Sequence, residues 1–202
     1  MDLVPTTISV GYAAGLNAYG TVFMLGLLGR AGFGQVPHEL TTGPILIAAG
    51  VMFAIEFITD KVPLLDSTWD VLHTAIRPAI GSLLGISFAD LDKVTGPETV
   101  AVGGASGATA LVAHGLKAGI RLGINTSPEP VSNIIASLTE DGLMALVVAL
   151  ALKEPFVALA VVVVLLAIGI SLVLFMRKRI KRALERRRER RAGREPPAFE
   201  EP

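Results

Sequence analysis

Residues 10–20 read VGYAAGLNAYG, and how that stretch folds decides the architecture. It opens an apolar segment, Ile8 to Gly29, that is long enough to cross a bilayer, whose hydrocarbon core needs about 20 residues of helix. Two readings fit its composition. Glycines four apart, Gly11 and Gly15, let two helix backbones approach closely. Glycine-rich backbone beside Asn17 could equally be unwound where it lines a cavity. A second cluster, VGGASGATA at 102–110, poses the same choice with Ser106 and Thr109 as candidate pore-lining groups.

Working outward, 51% hydrophobic residues, 18% charged residues and a mean hydropathy of +0.60 over 202 residues exceed what a water-soluble domain needs. The chain reads as an all-α integral membrane protein. Five more stretches approach span length: Gly43 to Ile58, Ser67 to Phe88, Thr99 to Ile120, Val131 to Leu152 and Phe156 to Met176. The third is amphipathic in its first half, and Pro78 should kink it after Arg77. No barrel-like alternation is present, so the spans are expected to be helices. There is no cysteine, which excludes disulfides and thiol chemistry. The N-terminus lacks the positive region of a secretory signal, so the first segment is expected to be retained.

The net charge of zero conceals an asymmetry. From Arg177 onward eleven basic residues face five acidic ones, a net of +6, against seven and thirteen before it, a net of −6. A basic run after the last span marks the cytoplasmic face. Six spans would then put both termini in the cytoplasm, in an inner, cytoplasmic membrane. The tail reads as a solvated helix held by Glu to Arg pairs or as a patch that grips anionic lipids. No nucleic-acid recognition fold accompanies it.

An internal repeat is also legible. With an offset of 89, Gly15, Gly26 and Leu27 fall on Gly104, Gly115 and Leu116, with Asn17 opposite Ser106. With an offset of 88, AIGSLL at 79 falls on AIGISL at 167. This predicts two three-helix units, 1–92 and 93–176, followed by a basic tail, 177–202. An odd number of spans per unit inverts the second, an arrangement that places a site near mid-membrane. The small-residue faces, which include Gly115, Gly119 and Gly123, predict a homo-oligomer such as a dimer.

Charge is confined to strips. Glu56 and Asp60 share a face, and Asp66, Asp70, His73 and Arg77 form a stripe at the start of the third span. His114, Lys117 and Arg121 lie on one face of the fourth span. The fifth carries Asn133, Ser137 and Glu140, with Asp141 beside them. A lone ionised group deep in a span costs at least about 2.5 to 3.5 kcal/mol, so Glu140 and Asp141 need partners or water. Lys61, Asp66 and Asp70 are read as interfacial glue, with Ser67 and Asp70 as a capping box. Glu56, Asp60, His73, Arg77, His114, Lys117, Arg121, Glu140 and Asp141 are read as an ion or substrate pathway. Carboxylate and imidazole suit protons and divalent ions alike, so the metal stays open. No cofactor is implied. Pro128 and Pro130 should make INTSPEPVSN a rigid turn over this region, with Ser132 capping the fifth span.

EFITDKVPLLDSTWDVLHTAIRP together with HGLKAGIRLGINTSPEPVSNIIASLTED resembles a family of small bacterial membrane proteins catalogued as domain of unknown function 4126, over residues 8 to about 176. The resemblance implies that these acidic, His, Arg and loop segments belong together, and it brings no activity. A fainter similarity links Glu56, Asp60 and Lys61 to cation exchangers built from two three-helix units around an acidic Gly-Asp-Lys motif. Here the spacing is one residue longer and Thr59 stands for the glycine, so their metal ligands do not carry over. The expected function is a transporter or channel for an ion or small solute. The alternative is a membrane scaffold or lipid-binding module acting through its tail. No His-Glu-x-x-His motif, nucleophile elbow or phosphate loop argues for an enzyme.

Overall fold

The computed structural model describes residues 2–62, 65–124 and 130–192, and among them the chain is entirely helical. The helices are α1 (Leu3–Leu16), α2 (Ala18–Arg30), α3 (Gly43–Thr59), α4 (Leu65–Leu91), α5 (Pro97–Ile124), α6 (Pro130–Lys153) and α7 (Pro155–Ala192), with a short 3-10 turn at His38–Thr41. Segment 125–129, read as a rigid turn, lies outside the described residues. So do the side chains of Asp66 and Ser67 and the end of the tail, 193–202. Ser132 falls within the first turn of α6, which already begins at Pro130, rather than at its cap.

Four helical stretches are long and apolar enough to cross a membrane: Thr68–Leu91, Pro97–Ile124, Val131–Lys153 and Pro155–Arg179. The 17 residues of α3 are shorter, rising about 25 Å at 1.5 Å per residue. The described residues therefore form an all-α membrane protein, but not six equal spans. The first predicted span is two helices, because Asn17 takes an extended conformation (φ −153°, ψ 104°) between α1 and α2.

At Asn17 the chain folds back. Thr6 Oγ1 lies 3.5 Å from the Ala151 carbonyl, and Asn17 Nδ2 lies 3.0 Å from Asp141 Oδ1, so α1 runs antiparallel to α6. After the break, a Cβ at Gly20 would lie 2.7 Å from Met144 Cε, and one at Gly34, beyond α2, 2.9 Å from Leu152 Cβ. The Lys153 ammonium sits 4.7 Å over the Phe33 ring. Both limbs thus end beside the C-terminus of α6, and Asp2 and Gln35 line one cleft with Leu152 and Lys153. Glycine contacts fix the other directions: Gly50 meets Phe23, Gly85 meets Gly103, and Gly123 meets Met176. Hence α3, α5 and α7 run away from the Asp2 end, and α4 and α6 return to it. Asp2 and Met176 lie at opposite ends of the bundle.

The core is α1, which packs against α4, α5, α6 and α7 and is buried over most of its length. Small residues make this possible. A Cβ on Gly11 would collide with the Ser106 carbonyl, and one on Gly15 with that of Ala110. Gly119 and Gly123 pack on α7, whereas Gly115 faces open space and holds no helix close. Residues 1–92 contain four of the helices and 93–176 three, so the two units are not simple copies. Helix α5 also continues unbroken through Ser106 and Thr109, where α1 and α2 part.

Candidate functional site

A helix that ends inside a bundle leaves carbonyls at its C-terminus and amides at the start of the next helix, and each needs a partner. Asn17 supplies part of the answer, its side-chain oxygen accepting from the Gly20 amide at 2.8 Å. Cations supply the rest. Arg77 Nη1 donates to the Gly15 carbonyl at 3.2 Å and Lys117 Nζ to that of Leu16 at 3.0 Å. Positive charge at a helix C-terminus is favourable on electrostatic grounds as well.

Those two cations begin a network. Arg77 bonds Glu56 Oε1 at 2.7 Å and pairs with Asp70 Oδ1 at 3.2 Å without hydrogen-bond geometry. Its Nη1 also points at His114 Nδ1, 2.7 Å away. A guanidinium only donates, so His114 accepts at Nδ1 and donates from Nε2 to Thr74 Oγ1 at 3.2 Å. Lys117 bonds Asp60 Oδ2 at 2.6 Å and lies 3.3 Å from Glu140. Arg121 grips Glu140 with two bonds, 2.6 and 3.1 Å, and donates to Asn133 Oδ1 and the Asp60 carbonyl. Glu56 and Arg77 are both fully buried. Two-point arginine pairs of this kind are among the stronger ion pairs, and losing one partner strands a buried charge.

The sequence-derived pathway residues therefore meet in one place, on the Met176 side of the bundle. Asp141 joins through Asn17. His73 lies at the edge, its Nδ1 donating to the Trp69 carbonyl at 2.8 Å and its ring edge-on to Tyr19. Lys61 bonds Ser137 at 3.2 Å and covers the Phe57 ring, and burial pulls its ammonium below the usual lysine range. Ser106 and Thr109 are not brought to the site. Ser106 donates to the Thr7 carbonyl in the contact between α1 and α5, and Thr109 bonds back to Ala105 in its own helix.

Asp70, read from sequence as interfacial, is buried and belongs to the network. The signal was there, since it stands two turns before Arg77 on one stripe. The carbonyls of Gly15 and Leu16 carry no sequence signal except the helix break itself. Among the described residues the acids Glu56, Asp60, Asp70, Glu140 and Asp141 outnumber the bases Lys61, Arg77, Lys117 and Arg121 by one formal charge. Glu56 Oε2, Asp60 Oδ1, Asp141 Oδ2 and His73 Nε2 are buried acceptors with no hydrogen-bond partner among those residues. No three His, Asp or Glu side chains there converge to hold a metal ion. The arrangement offers these acceptors to a proton or to one further positive charge.

No curated protein and no solved structure matches the chain. Residues 4–174 match the family model described as "Domain of unknown function (DUF4126)". That match covers most of the chain, including every residue of the network, and the protein belongs to this family.

Proposed function

We propose that this protein is a small membrane transporter, not an enzyme, in which the hairpin of α1 and α2 delivers a helix break to a buried charge network. The observation that carries this reading is the apex at Asn17. Broken helices at depth in a bilayer are tolerated where they are buried in protein or line a cavity, and in transporters their ends contact substrate or coupling ions. A bundle that needed only packing would be built more cheaply from apolar side chains than from nine formally charged ones. The acceptors without partners provide sites for a coupling proton.

In this reading α1 and α2 form a re-entrant hairpin and α3 to α7 make five crossings. The basic tail marks the cytoplasmic side, so the N-terminus lies on the opposite face. Three basic residues on that face, Arg30, Lys93 and Lys153, against six acids, Asp2, Glu39, Asp90, Asp92, Glu98 and Glu154, support the assignment. The opposed directions of α2–α4 and α5–α7 support an inverted relation between the two sets, with α1 as an addition to the first. Helix α7 runs for 38 residues, about 57 Å, well past the hydrocarbon core. Its basic end favours a second role in holding anionic lipids.

The test is flux. Protein reconstituted in liposomes should dissipate an imposed proton gradient, and Glu56→Gln and Asp141→Asn should abolish this while the helical content persists. Wild-type protein that moves no proton under a gradient, with or without a panel of solutes, would leave a scaffold.

A further inference from the structure

Beside the network lies a cavity of about 300 Å³ among α1, α5, α6 and α7. Its volume is at the lower end of ligand pockets, about 300 to 1,000 Å³. The walls are aliphatic, including Leu116, Ile168 and Leu172. The backbones of α5 and α6 stand apart and are bridged by Arg121 and Lys117, so the cavity lies in the gap between them, open to the apolar flank of the bundle. Four polar side chains line it, Tyr12, Lys117, Thr139 and Glu140, of which Thr139 spends its hydroxyl on the Ile135 carbonyl of its own helix.

The other three do not offer the same thing. The Lys117 side chain is 1% exposed; its ammonium already donates to Asp60 and Leu16 and pairs with Glu140 at 3.3 Å. Glu140 keeps 13% of its side chain accessible beside its two bonds to Arg121. Tyr12 is 5% exposed, yet its hydroxyl makes no hydrogen bond among the described residues. A cavity with aliphatic walls therefore presents a carboxylate edge and an unpartnered phenol. The surrounding network is one positive charge short of neutrality.

We propose that this cavity binds a lipophilic monocation, a protonated amine on an alkyl chain, whose ammonium bonds Glu140 and the Tyr12 oxygen while the chain lies along Leu116, Ile168 and Leu172. An ammonium supplies the missing charge and only donates, matching acceptors at both groups. A carboxylate head would meet Glu140 with like charge, and Lys117, which could offset this, is already paired with Asp60 and Glu140. The ligand enters sideways from the lipid, where such amphiphiles concentrate. The proposal names the cargo of the transport pathway and rests on that reading for movement, whereas binding stands alone.

The experiment uses the full chain in lipid nanodiscs with three probes that share one tail: dodecylammonium, dodecanol and dodecanoate. Saturable binding should fall in that order, with at least about tenfold between the first and last, the worth of a hydrogen bond to a charged group. Tyr12→Phe should weaken dodecylammonium about fivefold, a typical net hydrogen bond. Ile168→Trp, which fills the cavity without touching an ion pair, should remove saturable binding while the thermal transition is kept. Equal affinity for all three probes would mean a groove for acyl chains only. Unchanged binding in Ile168→Trp would place the ligand elsewhere, and either result overturns the proposal. Amine binding without amine or proton flux would leave this site standing and remove the transport reading. Proton flux without amine binding would do the reverse.

Discussion

Two glycine-rich stretches of similar composition fold differently: VGYAAGLNAYG breaks at Asn17, while VGGASGATA continues as helix through Ser106 and Thr109. Glycine content does not decide the matter. The break occurs where an asparagine can cap the next helix and where Arg77 and Lys117, from other helices, take the carbonyls the break releases. Around Ser106 there is no such supply. Its hydroxyl is spent on the Thr7 carbonyl, and its neighbours Gly103 and Gly107 lie against α4. A helix is broken inside a membrane bundle at a site prepared by the rest of the fold.

That contrast can be broken at its strongest point first. Arg77→Gln removes the partner of Glu56, Asp70 and the Gly15 carbonyl together, and should cost about 3 to 5 kcal/mol. Thermal unfolding in detergent reads the loss, and Glu56→Gln in the same chain should recover part of it. A change below about 1 kcal/mol would mean that the cations do not sustain the break. Asn17→Ala removes the cap, worth about 0.5 to 2 kcal/mol, and the donor to Asp141, a further 1 to 3 kcal/mol or so. Ser106→Ala, in the unbroken stretch, should cost only about 1 kcal/mol. If the two substitutions cost the same, the asparagine has no special part in the fold. Thr109→Ala, whose hydroxyl serves only its own helix, should stay within about 0.5 kcal/mol.

Much of the site was legible because charge in an apolar chain has few places to go. The spacing of Asp70, His73 and Arg77, and of His114, Lys117 and Arg121, put each set on one face, and burial cost required that the faces meet. The direction of the first segment was not legible. Ile8 to Gly29 has the length and hydropathy of a crossing helix, and nothing local distinguishes one that crosses from one that turns back. The information lies in contacts distant in sequence, Asn17 with Asp141 and Gly34 with Leu152. The expectation that both termini share one side rests on the same segment, since one turn changes the parity of the crossings. Asp70, read as interfacial glue, does pair with Arg77, but a stripe does not say how deeply the protein buries it. The cavity at Tyr12 was invisible to sequence, because a tyrosine without a partner is a property of its neighbours.

The turn at Asn17 is tested most directly by the sidedness of three positions. The chain has no cysteine, so single substitutions Asp2→Cys, Gln35→Cys and Arg182→Cys can be labelled against no background. In sealed vesicles of one orientation, a membrane-impermeant maleimide should label positions 2 and 35 from the same side and position 182 only from the other. Positions 2 and 182 labelled from one side, with 35 on the opposite side, would mean that the first segment crosses the membrane and that the hairpin does not exist.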